Sequence, residues 1–519
     1  MITKCFFINV AVINLALVLG ACDRAADNTV VSKVVDSVSQ SDDAPANGSA
    51  PTVVLADSEQ SAIVAVSTHQ PDPDSRWQAA RFATAGKIAE HPQRPGDVTE
   101  GRRALLEEPY VSCGLPERVF RQLLPNTDVV TVSGRTAKAD GLPFSATVFD
   151  NADGLSVVSN NCLSCHGTPL FGELVIGLGN EFLDFTGDAS ALVERAGALV
   201  QGDAEIHAWE LFADRINAIA PFIKLRTVGV NPANNLTFAL IAHRDAQTNA
   251  WSEIPLLPLP PTDAPPVSVP PWWRMAKKTA MFNLGEGRLD HARIMMSASM
   301  LCSDTLEELE EIDAYAPDIR AFIESLEPPA YPFSIDPELS ETGRTVFNNT
   351  CSHCHGAYDG SAPYPSRLVP IDLVQTDSLL VDFAHDQGLP YIDWFNRSYY
   401  GDLSQAAPGP GYVAPPLDGI WATAPFLHNG SVPTIAMVLD SSQRPDVWRH
   451  DVSDASDPGS YDQARLGWAF TALPEDQDNA RDKRVYDTNL PGYSNSGHLF
   501  GDHLSEGQRL AVIEYLKTL

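Results

Sequence analysis

Three observations predict a mainly α fold in two comparable halves, with long loops and few short strands, for this 519-residue chain. Cys162-Leu163-Ser164-Cys165-His166 and Cys351-Ser352-His353-Cys354-His355 are two copies of one C-x-x-C-H pattern. A helix-forming run that opens at Ser340-Glu341-Thr342-Gly343-Arg344 leads directly into the second copy. A final helical run, Ser505 to Lys517, stands where a closing helix would pack across it.

Taken in order, the chain begins with Lys4 and an apolar run from Phe6 to Leu19. That run is too short to span a bilayer stably and fits the core of a signal peptide over residues 1–21. Leu19-Gly20-Ala21-Cys22 has the form of a bacterial lipoprotein cleavage box, which would make Cys22 the lipidated first residue. Ordinary cleavage near Ala21 is the alternative. Asp23 favours retention at the inner membrane in some bacteria, with the outer membrane or secretion as the other destinations. Residues 22–74 are rich in Ser, Asp, Ala and Val without any period, as a flexible tether behind a lipid anchor would be.

Residues 75–330 form the first half. Helical patterns are expected at Arg76 to Ala89 and Gly101 to Leu106, and short strands or extended loops from Val130 to Val158. Helix-like spacing returns at Ala189 to Ile219 and Leu236 to His243. The Pro-rich stretch 255–271 must run extended, because proline removes a helix donor and clashes with the preceding turn. It delivers the chain to Trp272-Trp273, after which Arg274 to Asn283, Asp290 to Leu301 and Thr305 to Leu326 read as three helices. Glu327-Pro328-Pro329 marks the boundary, and residues 331–519 form the second half.

Each C-x-x-C-H has the spacing of a c-type haem attachment site, with two thiols for the haem vinyl groups and an adjoining His for the iron. Zinc is the competing use of C-x-x-C, but it needs neither the following His nor export from the cytoplasm. Two covalently attached haems are therefore expected, on Cys162, Cys165 and His166 and on Cys351, Cys354 and His355, in two cytochrome c-like haem domains. Of the 8 cysteines, Cys5 leaves with the signal, Cys22 takes the lipid and four hold haem. Cys113 and Cys302 remain, and an oxidising compartment favours a disulfide between them over two separate buried thiols. A net charge of −32 argues against nucleic acid as a partner and suits a small basic redox protein or other electron donor. It also serves plain solubility. Beyond the signal, no apolar run is long enough to span a bilayer, so the membrane is met through the lipid anchor only.

The segment Ala414-Pro415-Pro416-Leu417-Asp418-Gly419-Ile420-Trp421-Ala422-Thr423-Ala424-Pro425-Phe426-Leu427-His428-Asn429-Gly430-Ser431-Val432-Pro433-Thr434 resembles the one that follows the second haem motif in bacterial di-haem cytochrome c peroxidases and their relatives. Within that superfamily the rubber-oxygenase group is more similar. Val111-Ser112-Cys113-Gly114-Leu115-Pro116, Asn160-Asn161-Cys162 and Gly497-His498-Leu499-Phe500-Gly501 point the same way, and the likeness runs from about Tyr110 to Leu519.

The resemblance implies a division of labour. The haem on His166 would react with peroxide or dioxygen, the latter with an apolar organic substrate. The haem on His355 would be six-coordinate and pass electrons. His498 is the implied distal ligand of that second iron and His428 the runner-up. Met437 reads more readily as core, His450 and His503 as exposed, and His353 as facing away from iron. Trp272 and Trp273 would stand near the reactive haem or between the haems, as electron relays or pocket walls, or else form a plain core aromatic pair, and Phe282 shares these alternatives. A calcium ion is a further cofactor of this expectation. The resemblance thus points to an oxidoreductase, peroxidase or dioxygenase, of the periplasm or cell envelope. An electron carrier with both irons six-coordinate is the alternative, and a haem-based sensor a third reading.

Overall fold

The computed structural model describes residues 86–124, 129–474 and 482–519. The signal peptide, Cys22, the tether and residues 76–85 of the first expected helix lie outside the described residues. The remaining tail of that helix is a strand instead: Gly86–Lys87 pairs antiparallel with Arg367–Pro370. Short sequence spacing cannot anticipate such a distant partner.

The first half is organised around two helices and a hairpin. Asp97 caps Val98–Glu107 by accepting from the Thr99 and Glu100 amides, satisfying donors that a helix start leaves open. This helix lies against Ala316–Glu324 so closely that a Cβ on Gly101 would sit 1.8 Å from the Asp318 carbonyl oxygen. The expected strands appear as the hairpin Ala146–Asp150 and Ser156–Asn160, with Leu115–Pro116 as a third strand. Cys113 is joined to Cys302, with Cα atoms 5.4 Å apart, which ties this sheet to the end of the turn Met296–Leu301.

The helical patterns hold with breaks. Ala189 to Ile219 is two helices, Ala189–Gly197 and Gly202–Ile219. Thr305 to Leu326 is also two, Leu306–Asp313 with a Thr305/Glu308 capping box and Ala316–Glu324 with Pro317 in its first turn. Arg274 to Asn283 is not a helix. A 3-10 turn, Trp272–Lys277, ends there, because Trp273 and Arg274 are drawn to a distant carbonyl.

In the second half Asp336 caps Pro337–Thr350, which runs into Cys351. The closing helix Glu506–Leu516 begins with a Ser505/Gln508 capping box and crosses it at Gly343, whose Cβ would lie 1.8 Å from the Ala511 carbonyl oxygen. The helix pair expected of a cytochrome c-like domain is therefore present here. It has no counterpart before Cys162, where a hairpin stands in place of a helix. Strands are also more numerous than expected: fifteen of two to five residues among the described residues.

The halves interlock. Tyr391, Trp394, Phe395 and Tyr400 join the core of the first half, while Leu170, Leu178 and Trp273 join that of the second. The adjacent Trp272 and Trp273 belong to different cores. No helix among the described residues is long and apolar enough to cross a membrane.

Candidate functional site

The first C-x-x-C-H turn hangs from the hairpin. Asn161 extends the strand, donates to the Phe144 carbonyl and accepts from the Leu163 amide, fixing the start of the single turn Leu163–His166. The Tyr110 hydroxyl accepts from the Cys162 amide at 3.0 Å. His166 stacks on Trp272, with ring centroids 4.7 Å apart and planes 21° from parallel. Burial pushes its pKa down to about 4, so the ring is neutral; the nearby Pro270 carbonyl pulls weakly the other way. Its Nδ1 is buried without an ordinary hydrogen bond.

The second turn hangs from a helix. Ser352–His355 continues Pro337–Thr350, and the Ser352 hydroxyl donates to the Asn348 carbonyl. His355 Nδ1 lies 2.8 Å from the Pro415 carbonyl oxygen, which can only accept, so Nδ1 carries the proton and Nε2 keeps its lone pair. Burial lowers the His355 pKa as well. Facing it is His498, 6.2 Å between ring centroids with planes at 55°. Two imidazoles sharing one metal, each ring nitrogen about 2 Å from it, have centroids roughly 6 Å apart. The pair is therefore spaced as two imidazoles that would hold one iron between them.

Local backbone puts His498 there. It adopts φ +50°, and the preceding Gly497 adopts φ +72°, where a Cβ would come 2.2 Å from the Gln375 carbonyl carbon. Only glycine tolerates that approach. Burial pushes the His498 pKa down to about 3, and its Nδ1 has no hydrogen-bond partner.

His428 is engaged elsewhere. It stacks on Tyr412 at 4.0 Å, with Nε2 3.0 Å from the Tyr412 hydroxyl. Met437 is buried in the second core, and His503 is exposed. His450, expected at the surface, is buried instead, because Val447–His450 is the middle strand of a three-stranded sheet.

One cavity of about 470 Å³ is lined by Cys165 and His166 together with Cys351, Cys354, His355 and His498. Its remaining wall is largely apolar and includes Phe347, Val369, Leu380 and Phe426. Trp272 lines it as well, and the adjacent Trp273 leads towards the second motif's surroundings. Trp272 contacts His166, while Trp273 Nε1 donates to the Asp418 carbonyl at 2.8 Å, three residues beyond the Pro415 that holds His355. Phe282 also borders the cavity.

The residues present fit haem better than zinc. Among the described residues no three His, Cys, Asp or Glu side chains are grouped to hold a metal ion, whereas structural zinc takes four protein ligands. The expected calcium ion likewise has no such group among the described residues. Tyr110, Pro415, Tyr412 and Asp418 were not singled out by the sequence. The Pro270 and Pro415 carbonyls lie near His166 and His355 respectively, a relation that the many prolines of the chain do not mark in advance.

Two relatives, both from Sinorhizobium fredii (strain NBRC 101917 / NGR234), are similar to this chain. The uncharacterized protein y4iM is 31% identical over 209 residues, covering 35% of this chain and 45% of its own length. The uncharacterized protein y4iJ is 28% identical over 290 residues, covering 43% of this chain and 46% of its own length. The chain thus spans less than half the length of the curated relatives it matches. Residues 411–449, which include Tyr412, Pro415 and His428, match the family model described as RoxA-like, cytochrome c-like, and that segment implies covalently bound haem.

Proposed function

We propose that this chain is a di-haem c-type cytochrome oxidoreductase of the cell envelope. Cys162, Cys165 and His166 would hold the reactive haem, and Cys351, Cys354, His355 and His498 a closed, electron-transferring one. The observation that carries this reading is an asymmetry of ligands. His355 is faced by a second imidazole 6.2 Å away between ring centroids, whereas among the described residues His166 has an indole, Trp272, stacked on its ring face and no imidazole paired with it. When bound, haem supplies the one-electron and dioxygen or peroxide chemistry.

The chain's own residues do the rest. Burial keeps His166, His355 and His498 neutral, so their ring lone pairs are available to metal. The Pro415 carbonyl holds the Nδ1 proton of His355 and orients the ring. The largely apolar wall beside the histidines would suit an apolar substrate. The acidic surface suits a basic electron-donating protein. The signal peptide and lipidated Cys22 complete the reading with an envelope anchor.

Purified holoprotein should either oxidise a reduced small cytochrome in the presence of peroxide or take up dioxygen in the presence of an apolar polyisoprene-like hydrocarbon. Neither activity, with two haems present, would favour the electron carrier. Replacing Cys22 with Ser should move the protein from the membrane to the soluble fraction. A wild type that is already soluble contradicts the anchor.

A further inference from the structure

Arg274 is a buried cation without a matched anion. It is 6% exposed; its Nε donates to the Asp418 carbonyl at 3.1 Å, and its Nη2 is buried with no hydrogen-bond partner. The nearest acid is no substitute. The Asp418 carboxylate is held by Lys277 at 2.6 Å and by the Tyr358 hydroxyl at 3.3 Å. Burial pushes the guanidinium pKa down to about 10, the direction expected when a cation is desolvated without full compensation.

Its position is equally specific. Arg274 borders the cavity that the ligand histidines line, and the Asp418 carbonyl it donates to is three residues beyond Pro415, whose carbonyl holds His355. Four residues on, just past the end of the 3-10 turn, Lys278 borders the same cavity, and burial brings its pKa down to about 8. The acid beside Lys278, Glu286, is itself pushed up to about 7 by burial and is a weak counter-ion. Two cations, Arg274 and Lys278, therefore border one cavity, with Glu286 the acid that shares it.

We propose that Arg274, supported by Lys278, seats the propionate carboxylates of the haem attached at Cys351 and Cys354. The inference rests on the two-haem reading above. A haem edge carries two carboxylates, and the planar fork of a guanidinium matches one of them with two parallel N–H donors. Such a pair neutralises negative charge near the iron, which disfavours the ferric state and raises the reduction potential of that haem. Arg274 comes from the segment whose neighbour Trp272 contacts His166. One short turn thus touches the first site and sets the potential of the second.

The test is a redox titration of the holoprotein carrying Arg274→Gln, after haemochrome quantitation of two haems per chain. The midpoint potential of the bis-histidine haem should fall and that of the other haem should stay. Arg274→Lys should restore most of the shift, because charge, rather than shape, is retained. An unchanged potential, or an equal fall at both haems, overturns the proposal. Should the Gln variant fail to fold, resonance Raman of Arg274→Lys against wild type decides. The propionate bending mode of the bis-histidine haem should move as a two-pronged donor becomes a single one, and a fixed mode overturns the proposal. One haem per chain in the wild type would instead contradict the two-haem reading.

Discussion

The same five-residue turn is mounted twice in this molecule on different supports. Before Cys162 stands the hairpin Ala146–Asp150/Ser156–Asn160; before Cys351 stands the helix Pro337–Thr350, crossed by Glu506–Leu516. The second mounting also carries a positive-φ Gly497–His498 corner that brings an imidazole opposite His355, whereas at the first the indole of Trp272 lies against His166. The difference teaches that attachment and reactivity are separable. On the proposed reading, C-x-x-C-H spacing would secure covalent attachment at both places, while distant chain would decide whether a second imidazole faces the motif's own histidine.

The largest expected effect comes from removing the filled side. His498→Ala should convert the haem of Cys351 and Cys354 from six-coordinate low-spin to a ligand-accessible state, seen by visible and electron paramagnetic resonance spectra, without altering the haem of Cys162 and Cys165. If both haems change, or neither does, the contrast between the two mountings is broken.

A second effect concerns the supports. Gly343 and Gly101 each permit a helix crossing where a Cβ would come 1.8 Å from a backbone oxygen. Alanine at either position should cost about 3 kcal/mol, at the upper end of overpacking penalties, because backbone cannot rotate away as a side chain can. Gly343→Ala should perturb the spectrum of the second haem and Gly101→Ala should not. Denaturant melts paired with haem spectra check this.

The smallest effect should be shared by both halves. His291 in the first and His450 in the second are buried with pKa values held down to about 4. The unfolded chain protonates such residues first, near an ordinary value of about 6.5. Stability is therefore complete above that pH and is lost as pH falls towards 4. Each should cost roughly 2 kcal/mol at pH 5. His291→Gln and His450→Gln should each flatten the slope of stability between pH 6.5 and 4, measured by urea unfolding at fixed pH. An unchanged slope in both would show that these rings do not titrate on unfolding.

Local features were readable in advance. The helix leading into Cys351 and the closing helix from Ser505 were legible, though the first starts at Pro337 rather than Ser340, and the Pro-rich 255–271 stretch and the strand-like region before Cys162 were legible too. What could not be read depends on chain far away. Gly86–Lys87 is a strand only because Arg367–Pro370 is beside it, and Trp272–Lys277 stops short because Asp418 accepts from Trp273 and Arg274. His498 and His428 rank first and second by resemblance, and nothing local in the sequence explains the order. Tyr412 occupies one and Gly497 aims the other, and neither relation has a periodic signature.

The central claim, one open and one closed haem, is met most directly by carbon monoxide titration of the fully reduced holoprotein, with the bound haem assigned by comparison with His498→Ala. The account predicts one equivalent per chain, bound at the haem of Cys162 and Cys165, and a second equivalent only in the variant. Binding at the haem of Cys351 and Cys354 in the wild type, or at neither haem, would contradict it.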